Sequence, residues 1–213
     1  MFLEIELKLH IAPENVNLLL QHPLLQLTPP TQAVLIERLI SRYFDTADLA
    51  LWQHGLSMRV RKAGGRTIQT LKTAGKQIGD LQHRHEWDQP ITHHNPNIEQ
   101  FTDAQLKTKL SAILGNKPLL ELFHTDFERR SWNLFTENET QIELVLDQGH
   151  VKTATNQAVL HEIELELKQG DSQQLYTIAE QLKSTIPLTV ETRSKAERGY
   201  LLYNDNKMSS NYL

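Results

Sequence analysis

Apolar and charged residues alternate through the first nine positions. Leu3, Ile5, Leu7 and Leu9 share one parity, and Glu4, Glu6 and Lys8 share the other. A period of two is that of a strand with unlike faces. The pattern returns near the other end, where Ile163, Leu165 and Leu167 alternate with Glu162, Glu164 and Glu166. One such strand fits an antiparallel sheet with a wet face. Two strands with acids gathered on one parity are harder to explain that way. Neighbouring carboxylates repel unless water screens them or a cation sits between them.

The same reading predicts strands at Ala33 to Phe44, Leu56 to Lys62, Arg66 to Lys72, His83 to Trp87, Leu119 to Phe135 and Val159 to Lys168. Another covers Gln141 to Asp147 and is closed by Gly149. Gly64-Gly65 is a hairpin signal between two of them. Helical spacing predicts a short helix opened by Ala12-Pro13 and running through Leu20, a helical turn over 47–54, and a helix from Asp103 to Leu114 stopped by Gly115. Two more follow, from Asp171 to Leu182, capped by Asp171 or Ser172, and from Ser194 to Leu202. Pro23 and Pro29-Pro30 read as a linker, 73–82 as a mobile loop, and 204–213 as a polar tail that frays. There is no βαβ alternation. About eight strands with polar positions turned one way can close into a barrel, which has no edges and can enclose a polar channel.

Composition narrows the function. The 213 residues fit one domain, and 39% hydrophobic content allows a true core. A formal net charge of -4 argues against a general nucleic-acid binder. Without cysteine there are no disulfides, thiolate metal sites or thiol nucleophiles, which fits a reducing compartment. No long apolar run or signal-peptide layout is present, so a cytoplasmic protein with no membrane partner is expected.

The candidate chemistry lies in the strands between the two acidic ones, which carry mostly basic residues. Arg59 and Arg61 share a parity, Lys72 ends the next strand, and Arg84 and Glu86 share a parity further on. Arg129 follows, then Lys195 and Arg198. Guanidinium groups match phosphate oxygens bidentately. Cations gathered in one cavity need an anion of several charges, and facing carboxylates need a hard divalent cation. A polyphosphate chelating a metal meets both requirements.

These residues resemble a known family, the CYTH-domain proteins, or triphosphate tunnel metalloenzymes. Glu4-x-Glu6-x-Lys8 is similar to the family hallmark. Tyr43-Phe44-Asp45-Thr46, Leu56-x-x-Arg59-x-Arg61, Lys72, Arg84-x-Glu86, Phe127-Glu128-Arg129, Asp147-Gln148-Gly149, Glu162-x-Glu164-x-Glu166 and Ser194-Lys195-Ala196-Glu197-Arg198-Gly199-Tyr200 follow in the family's order. Each motif is weak alone, and the ordered set is specific. The resemblance implies a mainly β (α+β) fold, an eight-stranded antiparallel closed barrel with short helices outside. It covers residues 1–203 as one domain. Some bacterial relatives carry a helical CHAD domain behind it, for which this chain stops too early.

The resemblance also implies roles. Glu4, Glu6, Asp147, Glu162 and Glu164 would hold Mg²⁺ or Mn²⁺, with Glu166 an even choice between ligand and ordinary charge. Lys8, Arg59, Arg61, Lys72, Arg84, Arg129 and Lys195 would bind the triphosphate, against the alternative of salt bridges inside the barrel, strongest for Arg84 beside Glu86. The attacking water would be oriented by Glu86, or by a Lys8–Tyr43 pair. His83, His85, His93 and His94 read as surface or packing residues, and Asp45-Thr46 as a turn. The expected activity is metal-dependent hydrolysis of inorganic tripolyphosphate to pyrophosphate and phosphate. Thiamine triphosphatase, class IV adenylate cyclase and a non-catalytic polyphosphate-binding module are the alternatives. The expected partner is the small-molecule triphosphate, and a homodimer is compatible with the chain.

Overall fold

The computed structural model describes residues 1–27, 34–136 and 139–210. The expected linker at Pro29-Pro30 lies outside them. Ten strands form one antiparallel sheet in the order β10-β1-β9-β8-β7-β2-β3-β4-β6-β5. These are β1 (Phe2–Ile11), β2 (Leu35–Asp45), β3 (Leu56–Ala63), β4 (Arg66–Thr73), β5 (Lys76–Ile78), β6 (Leu81–Ile91), β7 (Leu120–Phe135), β8 (Gln141–Lys152), β9 (Gln157–Gln169) and β10 (Leu188–Val190). β1 also pairs with β6, from Phe2 opposite Glu86 to Leu7 opposite Leu81. That pairing closes eight strands into a barrel and leaves β5 and β10 as short additions. Closure removes the edges that an open sheet would present.

The alternation in the chain sets which side of the wall each residue meets. Leu7, Leu9, Leu144, Leu146, Ile163 and Leu165 point outward, into a core completed by Leu175, Ile178 and Leu182 of α4 (Gln173–Lys183) and by Val16 and Leu19 of α1 (Val16–Leu20). A second core joins Leu56, Met58 and Leu71 to Leu106, Leu110 and Leu114 of α3 (Ala104–Leu114), with Leu51 of α2 (Ala50–Gln53). The main apolar cores therefore lie outside the barrel, between wall and helices, and the charged face is turned inward.

Several local expectations change. Gly149 does not end β8, which continues to Lys152. It stands opposite Phe127, where a Cβ would lie 2.6 Å from the Phe127 Cβ. The expected mobile loop over 73–82 contains β5 and the start of β6, paired from Lys76–His83 to Ile78–Leu81. Tyr176 of α4 fixes the tip, its hydroxyl accepting the Asp80 backbone N–H at 3.1 Å. Ser172 makes no side-chain cap, whereas Asp171 accepts from the Gln173 backbone N–H at 3.0 Å. α5 (Lys195–Ser210) extends through most of the segment read as a frayed tail. Gly115 follows α3 with φ 55°, as the sequence predicts, and Asp103, expected as the first helical residue, is its cap.

Candidate functional site

Strand register brings the inward-facing charges together. Glu4 stands opposite Arg84, and Lys8 opposite Glu164. Lys72 faces Glu86, and Arg129 faces Asp147. Arg59 and Arg61, two residues apart on β3, stand opposite Tyr43 and Ser41. Residues separated by most of the chain thus occupy one bore.

The bore holds a cavity of about 220 Å³ lined by eight cationic and five acidic side chains. All seven residues expected to bind phosphate line it, as do Glu86 and Tyr43. A second cavity, toward Leu35 and Glu143, shares Arg59, Arg61, Asp88 and Arg129 with the first.

The acids and bases are interleaved. Arg84 bridges Glu4, at 2.5 Å, and Glu6, so the cation between those two carboxylates is a guanidinium. Lys72 lies 2.9 Å from Glu4 and 2.7 Å from Glu86. Lys8 donates to Glu6 at 2.9 Å and stands 3.6 Å from Glu164. Arg129 makes a two-pronged contact with Asp147, at 2.7 and 2.6 Å, and reaches Glu164 at 2.7 Å. Lys195 pairs with Asp147 at 2.7 Å, with Glu164 at 3.0 Å and with Glu162. Arg84 thus pairs with Glu4 and Glu6, whereas Glu86 pairs with Lys72 and, at 3.4 Å, with Arg59.

The five expected metal ligands fall into two groups. Asp147, Glu162 and Glu164 each present an oxygen within 4.8 Å of the others. A compact set of buried carboxylate oxygens suits a hard divalent cation. Glu4 and Glu6 belong to the Arg84–Lys72–Lys8 network. Glu166 pairs with Lys168 at 2.7 Å, as does Glu143 at 2.9 Å.

The electrostatics follow from burial and neighbours. Burial opposes the Glu164 charge, but Lys195, Lys8 and Arg129 outweigh it and hold the carboxyl well below the usual range. Asp147 behaves likewise beside Arg129 and Lys195. Glu162, fully buried, is raised by desolvation despite Lys195. For Glu4, Lys72 and Arg84 overcome burial and lower the pKa. Arg61 is brought down to about 9 by burial and by the charges of Arg59 and Arg129, and so stays cationic at neutral pH.

Sequence reasoning left some participants unassigned. Arg198, a cation of the pattern with no assigned role, pairs with Glu162 and Glu191. Ser41 accepts a hydrogen bond from Arg61, and the Phe127 ring lies among three cations. The inward parity of Ser41 and Phe127 was readable, but neutral residues on a charged face carry no chemical signature. Asp45 is structural: it accepts from the backbone N–H groups of Thr46, Leu51 and Trp52 and from the Tyr200 hydroxyl. His85, His93 and His94 are exposed. No helix among the described residues is long and apolar enough to cross a membrane.

The CYTH domain family matches residues 3–200. An inorganic triphosphatase of Haemophilus influenzae is 34% identical over 203 residues, which is 95% of this chain and 55% of that protein. The chain therefore spans about half the length of that curated relative. A Bacillus halodurans structure described as a candidate adenylate cyclase superposes with a TM-score of 0.60 at 21% identity, covering 93% of this chain and 98% of that one. A Hippeastrum structure, described as a candidate adenylyl cyclase with a dominant triphosphatase activity, superposes at 0.56 with 18% identity, covering 95% and 96%. At those identities the structural likeness establishes the barrel fold. The family match over nearly the whole chain and the charged bore agree, and this chain belongs to the CYTH domain family.

Proposed function

We propose that the bore binds a short polyphosphate together with a divalent cation and hydrolyses its terminal phosphoanhydride bond. The preferred substrate is inorganic tripolyphosphate, and the products are pyrophosphate and phosphate. The observation that carries this reading is the pair of guanidinium groups, Arg59 and Arg61, that the acids of the cavity wall leave short of partners. Arg61 has no carboxylate within ion-pair distance among the described residues, and its Nε is answered by the neutral Ser41 hydroxyl. The buried Arg59 Nε also lacks a hydrogen-bond partner among the described residues. Leaving a buried donor unsatisfied costs about 1–3 kcal/mol. An anion with several oxygens would satisfy both guanidinium groups. The triphosphatase from Haemophilus influenzae supports the same choice.

In this reading Arg59, Arg61, Arg129, Lys72, Lys8 and Lys195 hold the phosphoryl oxygens, while Arg84 stays with Glu4 and Glu6. Asp147, Glu162 and Glu164 would hold Mg²⁺ or Mn²⁺. The bound ion supplies charge neutralisation on phosphoryl oxygens. Glu86, oriented by Lys72 and Arg59, accepts a hydrogen bond from the attacking water and aims it at the terminal phosphorus. The P–O bond to the bridging oxygen breaks as the new one forms. This is catalysis by positioning and fixed charge. The alternative Lys8–Tyr43 pair is less favoured. Lys8 donates to Glu6, Tyr43 stacks on Phe123 at 4.6 Å, and no hydrogen bond joins the two among the described residues.

The test is product release from tripolyphosphate, ATP and thiamine triphosphate with Mg²⁺, Mn²⁺ or chelator. Metal-dependent phosphate release, fastest from tripolyphosphate, is expected. Cyclic AMP from ATP would replace the reading with a cyclase. Tight binding without turnover under either metal would make the chain a polyphosphate-binding module.

A further inference from the structure

The two groups that hold Arg61 are neutral. Its Nε donates to Ser41 Oγ at 2.7 Å, and its guanidinium carbon lies 5.8 Å from the Phe127 ring centroid. The same ring has the Arg129 guanidinium carbon at 5.7 Å and Lys195 Nζ at 5.2 Å. Ser41 is fully buried and Phe127 is 2% exposed. Arg129 and Lys195 also hold carboxylates, whereas Arg61 has none at ion-pair distance among the described residues.

We infer that Ser41 and Phe127 are positioning residues that hold Arg61 in the bore as an unneutralised cation, ready for a phosphoryl oxygen. The inference rests on the triphosphate reading above. A carboxylate in their place would fix Arg61 equally well, but would cancel its charge and repel the incoming anion. An aromatic face attracts a cation without carrying net charge. A hydroxyl accepts one N–H and leaves the two terminal amino groups of the guanidinium free for bidentate contact. The ring is itself held: Leu39 and Leu160 pack against it, and Gly149 leaves the space it needs. Three inward positions that the charge pattern leaves blank thus form an apolar plug supporting the cations.

A double-mutant cycle tests this. Ser41→Ala and Phe127→Leu are made alone and with Arg61→Ala. Tripolyphosphate affinity is measured by calorimetry in chelator, and kcat and KM with Mn²⁺. Each single substitution is expected to weaken binding and raise KM by roughly fivefold to thirtyfold, with kcat within about twofold. In the Arg61→Ala background Ser41→Ala should matter no further, because it acts through that guanidinium, and the effect of Phe127→Leu should shrink to the part exerted through Arg129 and Lys195. Ser41→Thr, which keeps the hydroxyl, should restore affinity.

Equal losses with and without Arg61, or folded single variants of normal affinity, would overturn the inference. Should Phe127→Leu fail to fold, the Ser41 cycle decides alone. A wild-type protein that does not bind tripolyphosphate defeats the triphosphate reading, and this inference with it. A wild-type protein that binds normally but shows no coupling defeats only the positioning role.

Discussion

Arg61 and Arg129 show how two cations in one bore do different work. Arg129 answers Asp147 and Glu164, so its removal breaks two buried pairs and leaves those carboxylates to Lys195 and Lys8. Breaking a buried pair from one side costs about 3–5 kcal/mol. Arg129→Ala is therefore expected to lower the melting temperature sharply, measured by calorimetry. Arg61 is repelled by Arg59 and Arg129 and lacks a carboxylate at ion-pair distance among the described residues. Arg61→Ala should leave the melting temperature nearly unchanged and weaken tripolyphosphate binding by about 1.5–3 kcal/mol. A large loss of stability without loss of affinity would give Arg61 a structural role instead. Glu164→Gln keeps the shape and removes one member of the compact acidic set. It is expected to raise the Mn²⁺ concentration needed for half-maximal turnover at least about tenfold, since carboxylate charge sets affinity for a hard cation. An unchanged metal requirement would remove Glu164 from the metal site.

Helix α5 carries Lys195 and Arg198 to the acids, so its seat on the barrel decides their reach. Gly199 lies flat against the Phe123 ring, and an added Cβ would enter the space of the ring. Tyr200 stacks on Trp52 at 4.4 Å and meets Phe123 edge-on at 5.2 Å. Gly199→Ala must shift the helix or the ring. A loss of about 1–3 kcal/mol in stability is expected, together with reduced kcat as Lys195 moves. A variant with wild-type stability and rate would show that the seat is loose. The glycine's need was illegible in the sequence, because Phe123 is distant in the chain. The long strands were readable, since alternation survives in β1, β3 and β9 whatever the tertiary context. β5 was not: three exposed residues, Lys76–Ile78, carry no period. The end of β8 was misplaced because Gly149 marks a close cross-strand contact with Phe127 and not a turn. Parity placed the strand-borne phosphate-binding candidates in one cavity, and Lys195 reaches it from α5. It could not show that Arg84 would be taken up by Glu4 and Glu6, because pairing across the closing β1–β6 seam depends on register.

At the scale of the molecule, the apolar cores outside the wall supply cohesion, and the charges inside supply function at some cost to it. Buried ion pairs contribute little net stability, because desolvation offsets their attraction. Their pH dependence has a definite sign. Glu4, Asp147 and Glu164 sit below their ordinary carboxylate values, so their contribution is complete above those values and is lost as pH falls through the lower folded ones. Glu162, raised by burial, has the opposite sign and opposes folding once ionised. Between neutrality and pH 5 the three lowered groups contribute in full and only the relief of Glu162 acts, slightly in favour of folding, and below about pH 4 the three lowered groups dominate. Melting temperature is therefore expected to change little from pH 7 to 5 and to fall steeply below 4. Tripolyphosphate should act against the other stress, the repulsion of Arg61 by Arg59 and Arg129. In chelator at neutral pH, ligand at a hundred times its dissociation constant should stabilise the fold by about 2.7 kcal/mol. The gain should shrink as added salt screens the bore. A thermal shift independent of salt, or equal for orthophosphate and tripolyphosphate at equal concentration, would mean that the cations do not act together on one extended anion.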